Sequence, residues 1–136
     1  MTSKLVKLLV SAGMLLAASL PMAAHHSFSA EFDATKPITL EGKVVQMEWV
    51  NPHSWLLIDV TKADGTVDRW KIECGSPSVL LRLGWNRNSL PPGTKIKLVA
   101  LQAKDGSLRG SSRGIEFPDG RKMDLGGSAP KDEHSK

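Results

Sequence analysis

The sequence predicts an all-β protein: a small five- to six-stranded OB-like Greek-key barrel with one short helix between strands 3 and 4. Three observations predict it. Apolar and polar residues alternate in short segments separated by regular turn sequences. A single segment changes to helical spacing, and it follows the third strand. The first strand switches its apolar face part-way along, which implies a bulge or a sharp bend. A small open sandwich of the same strands is the alternative arrangement.

The first strand is read in "ITLEGKVVQMEWV" (38–50), where Ile38, Leu40 and Val44 share one parity and Val45, Met47 and Trp49 the other, with Gly42 close to the switch. "NPH" (51–53) is a turn. "SWLLIDV" (54–60) then places Leu56, Ile58 and Val60 on one side. "ADGT" turns the chain into "VDRWKIEC" (67–74), which aligns Trp70, Ile72 and Cys74. In "GSPSVLLRLGW", Ser76 can cap a helix, Pro77 suits its first position, Leu80, Leu81 and Leu83 form an apolar stripe, and Gly84 can end it. Trp85 reads as a cover over the helix end. After "LPPG", the strand "TKIKLVALQA" (94–103) faces Ile96, Leu98 and Ala100 inward. "RGIEF", "PDG" and "RKMDL" form a closing hairpin.

The ends of the chain are different in kind. Residues 1–24 carry Lys4 and Lys7, an apolar run from Leu8 to Leu20 and small residues ending at Ala24, the layout of a secretory signal peptide. The run is short for a bilayer span and no second one follows, so no stable membrane span is expected after processing. Cleavage after Ala24 puts a small residue at the scissile bond, whereas cleavage after Ala23 would put Pro21 three positions back. The expected organisation is a signal peptide (1–24), an OB-like domain (25–125) and a disordered tail (126–136) that holds His134. The expected location is the periplasm or the exterior.

Removing the leader's two lysines takes the net charge from +4 to +2, too little for a nucleic-acid footprint. The single cysteine, Cys74, leaves the fold to stand on its hydrophobic core, and it reads as a small buried hydrophobe. The carboxylates Glu31, Asp33, Glu48, Asp59 and Glu73 show no spacing that specifies an acid–base pair. No serine has a nucleophile context. The expectation is a binding protein and not an enzyme.

The chemistry-bearing residues are the histidines. A chain beginning at His25 offers its free amine and its own imidazole to one ion, with His26 or a distant imidazole completing the set. Nitrogen-rich ligation of this kind suits copper. Cleavage after Ala23 would instead give Ala-His-His, which chelates Cu(II) through the amine, backbone nitrogens and His26. Without a metal, Phe28 and Phe32 could anchor an amino-terminal strand. His53 is presented by a short loop stiffened by Pro52, between strands 1 and 2, one of the binding edges of the OB fold. Met47, Trp49 and Trp55 are its neighbours in sequence, and a thioether, an imidazole and an indole face would suit Cu(I). Apolar alternation in a strand usually means burial, so core is the favoured reading of Met47 and Trp49. The expected metal ligands are therefore His25, His26 and His53, with Met47, Trp49 and Trp55 as ligand-binding candidates. The competing reading is an OB-fold module with no metal, whose tryptophans stack on a small ligand or a protein partner.

The ordered blocks "AHHSF", "AEFD", "LEGKVVQMEWVNPHSW", "GSPSVLLRLGW", "LPPG" and "DGRK" resemble a family of short exported bacterial proteins of unknown function, over about residues 24–124. That resemblance implies an exported small domain and brings no activity, ligand or catalytic residue. In architecture and residue type the chain is also similar to small periplasmic OB-fold copper carriers, which hold Cu(I) with histidine, methionine and tryptophan; their ligand spacing does not map onto this sequence, so the likeness is one of fold and residue type only.

Overall fold

The structure is a computed structural model that describes residues 28–129. The chain divides into two compact units, Met1–Ala30 and Glu31–Lys136. The second holds the barrel. Its elements are β1 (Phe32–Glu48), β2 (Trp55–Thr61), β3 (Val67–Glu73), the helix α1 (Pro77–Arg82), β4 (Lys95–Ala103), β5 (Arg109–Ser111), β6 (Gly114–Glu116) and β7 (Lys122–Asp124).

Strands follow one another in the sheet as β1-β2-β3-β5-β4, and a further β1–β4 pairing closes the ring. The β3–β5 contact is parallel and the other pairings are antiparallel. This is the five-stranded OB-like barrel expected, with α1 between β3 and β4. The strand count rises to seven because β6 takes over from β5 along β4 and turns back as β7. Closure leaves no free edge within the five-stranded ring.

Cross-strand pairing explains the core. Leu40 lies opposite Leu98, Leu56 opposite Ile72 and Ile58 opposite Trp70, and all six side chains are buried inside the ring. The change of apolar face in β1 is a β-bulge: Val44 pairs with Ile58 and Gln46 with Leu57, so Val45 is the additional residue. That insertion carries Met47 to the inner side, opposite Leu56. Gly42 is not the bulge. It marks a close approach, because a Cβ there would lie 2.5 Å from the Asp59 carbonyl oxygen on β2.

β1 begins at Phe32, earlier than the apolar alternation suggested, and Phe32 is buried. Ser76 caps α1, its Oγ accepting from the Val79 amide at 3.3 Å, and Pro77 opens the helix. Gly84 takes φ +89° at its end. The expected stripe of three leucines is narrower than anticipated: Leu80 is buried, while Leu81 and Leu83 are exposed. A helix of six residues turns only part of its surface inward. Val60, likewise, is only partly buried against the core.

The "ADGT" turn forms as read, and its aspartate contact recurs within β1 and after β4. Asp33, Asp64 and Asp105 each accept, through Oδ1, the amide and hydroxyl of the residue two positions on. Those donors hold the three carboxyls below the ordinary aspartate value. Residues 126–129 depart from the expectation of a disordered tail. Gly127 and Ala129 are buried, and a Cβ on Gly127 would lie 2.1 Å from the Ser112 carbonyl oxygen. Composition registers the glycines as loose chain; here they permit a tight backbone crossing. The rest of that tail, with His134, lies outside the described residues.

Candidate functional site

The loop between β1 and β2 presents His53. The Asn51–Pro52 peptide is cis, and the loop exit is bound to the end of β3: the Ser54 amide donates to Gly75 O at 3.0 Å and the Cys74 amide donates to Ser54 O at 2.9 Å. These bonds bring His53 beside Glu73, the last residue of β3 and the ladder partner of Trp55. His53 Nδ1 lies 3.8 Å from Glu73 Oε1. The imidazole is 44% exposed, whereas the carboxylate is 6% exposed.

Glu73 is the residue that sequence spacing missed. Its carboxylate accepts a short hydrogen bond from Ser128 Oγ, and no lysine or arginine among the described residues forms an ion pair with it. Ser111, its ladder partner on β5, is fully buried with Oγ unpartnered, as is Ser54 Oγ beside His53. A carboxylate withdrawn from water calls for a nearby cation or donors. His53 is the group placed to meet that demand from the solvent side. The 3.8 Å separation makes His53 and Glu73 close neighbours and is longer than a direct hydrogen bond.

The remaining candidates separate by face. Met47 and Trp49 are partly buried and pack against the core, and the Arg87 guanidinium lies 5.7 Å from the Trp49 ring centroid. Trp55 belongs to the outer face: Lys71 Nζ lies 5.0 Å from its ring centroid and 3.1 Å from Glu48 Oε2. Trp49 and Trp55 therefore do not form one aromatic surface. Trp85 is buried, as its reading as a cover over the helix end implied. His25 and His26 lie outside the described residues. Among the described residues no group of three or more His, Cys, Asp or Glu side chains gathers to hold a metal ion.

Cys74 is not a ligand candidate. Its side chain is fully buried, its Sγ donates to Ile72 O at 3.5 Å, and burial pushes the thiol well above its ordinary value. A thiol reagent is expected to leave the native protein unlabelled and to modify Cys74 only at the rate of unfolding in denaturant. Rapid labelling without denaturant would contradict this burial.

A family model described as "Family of unknown function (DUF6152)" matches residues 12–112. The chain belongs to this family. The DUF6152 match spans β1 to β5, and so takes in the closed ring, the His53 loop and Glu73; the β6–β7 hairpin and Ser128 lie beyond it. No curated protein and no solved structure matches the chain. No helix among the described residues is long and apolar enough to cross a membrane.

Proposed function

We propose that this protein is an exported, periplasmic copper-binding domain that acts as a binding protein and not as a catalyst. The ion is held through the amine and imidazole of His25, with His26 and His53 as the further candidate ligands. The observation that carries the reading is the pairing of His53 with the buried Glu73 carboxylate at 3.8 Å. Glu73 compensates the positive charge of a bound ion, and His53 supplies the nitrogen. The leader supports export.

The test is a Cu(II) titration of the processed protein, with the first residue fixed by intact mass and the ion followed by EPR. One copper per chain with nitrogen coupling is expected. Affinity is expected to fall in His25→Ala and His53→Ala, and by about 10- to 100-fold in Glu73→Gln, the usual effect of removing a carboxylate behind a ligating histidine. Binding that is micromolar or weaker and indifferent to His25→Ala and His53→Ala would sink the proposal. The reading as a metal-free module with an aromatic platform has less support, because Lys71 already lies over the Trp55 ring.

A further inference from the structure

Beyond β7 the chain crosses back over the end of β3. Leu125 is bound on both sides of that crossing, since the Gly75 amide donates to Leu125 O at 2.7 Å and the Leu125 amide donates to Arg113 O at 2.5 Å. Gly126 follows with φ +61°, its amide donating to Asp124 Oδ1 at 2.6 Å. Gly127 is buried against backbone, because a Cβ there would run into the Ser112 carbonyl oxygen and lie 3.3 Å from the Glu73 carbonyl oxygen. Arg113 then holds the carbonyls on either side of Ser128, its Nη1 donating to Gly127 O at 3.4 Å and to Ala129 O at 2.9 Å. Residues 125–129 are thereby a braced strap, and it delivers the Ser128 hydroxyl to Glu73.

The atom that hydroxyl reaches is Oε1, and His53 Nδ1 lies 3.8 Å from the same oxygen. A glutamate carboxylate can turn about its side-chain torsions, so a single fixed donor decides where its charge sits. The cations on this face are committed elsewhere, Lys71 to Glu48 at 3.1 Å and Arg109 to Glu31 at 2.7 Å. With the Ser128 donor lost, a carboxylate only 6% exposed would be penalised by its burial, and swinging outward to water would carry its charge away from His53. We infer that Ser128 is a positioning residue of the proposed copper site: its hydroxyl holds Glu73 Oε1 beside His53, and the strap thereby sets the affinity at that histidine. The effect on affinity rests on the copper reading, whereas the placement of the carboxylate does not. Ser128 lies beyond the residues that the family model matches.

The processed protein tests this with and without metal. In the metal-free protein at one fixed pH, the ring nitrogen resonances of His53, identified by their loss in His53→Ala, are expected to shift in Ser128→Ala and to return to their wild-type positions in Ser128→Thr. Ser128 is exposed, so alanine opens no cavity and threonine keeps the hydroxyl with room for its methyl group. Cu(II) affinity is expected to fall roughly tenfold in Ser128→Ala and to recover in Ser128→Thr. It should fall no further when Ser128→Ala is added to Glu73→Gln, since the hydroxyl acts through that carboxylate. Ring resonances unmoved in Ser128→Ala or not restored in Ser128→Thr, or an equal further loss of affinity in the Glu73→Gln background, would overturn the inference. Should no copper bind, the copper reading falls, and the metal-free resonances still decide whether Ser128 places Glu73.

Discussion

Trp85→Ala is expected to destabilise the barrel by about 4 kcal/mol, the usual range for removing a buried tryptophan. The indole is 2% exposed, and its Nε1–H donates to the Asp124 carbonyl at 2.7 Å, 39 residues away. Its backbone amide donates to Leu80 O at 3.0 Å. One side chain thereby fastens the end of α1 to the end of β7, and fills the space between them. Alanine would leave a cavity and strip the Asp124 carbonyl of its donor at the same time. For a domain of this size the loss corresponds to a fall in Tm of about 20 °C. Trp85→Phe separates the two contributions: it keeps most of the packing and is expected to cost about 1–2 kcal/mol. Urea denaturation followed by circular dichroism measures both. A cost below about 1 kcal/mol for the alanine variant would show that the helix–hairpin junction contributes little.

Gly42→Ala is expected to cost about 3 kcal/mol, at the upper end for adding one methyl group to a packed site. The added Cβ would lie 2.5 Å from the Asp59 carbonyl oxygen and 3.1 Å from its carbonyl carbon. Both are backbone atoms of the adjoining strand. Relief therefore requires β1 and β2 to move apart near Lys43 and Asp59, where they are paired. Gly65→Ala is the informative comparison. Gly65 has φ +84° and open space around its Cβ position, so its substitution meets only backbone strain and is expected to cost about 1 kcal/mol. Equal costs for the two variants, measured by the same denaturation, would mean that close approach at Gly42 is not what selects glycine there.

The barrel was legible in the sequence because its determinants are local. Period-two alternation identified the inner faces of β2, β3 and β4, and Asp-Gly turns marked where strands end. The switch of parity between Val44 and Val45 announced the bulge, and the register shift between Val44 and Gln46 is where that switch lies. Two features resisted the same logic. Leu81 and Leu83 look like core in sequence, but a helix of six residues buries only Leu80. Residues 126–129 have the composition of a loose tail, yet the Ser128 hydroxyl reaches Glu73 and Ala129 is buried. Burial in both cases depends on what lies above the residue, and composition carries no information about that.

The candidate site divides along the same line. His53 stood out in the sequence because Asn51 and Pro52 make a short turn whose product is a displayed imidazole. Glu73 did not, since it sits 20 positions away in a strand, with nothing in its spacing to mark it among the other carboxylates. What the sequence by itself determined is the set of strands, the helix that interrupts them and the loop carrying the histidine, because each follows from side-chain periodicity and turn chemistry within a few residues. What only the tertiary structure decided is which carboxylate faces that histidine and that Trp49 and Trp55 lie on different faces. Those pairings are matters of register between strands, and register is settled by the packing of the whole ring around its core.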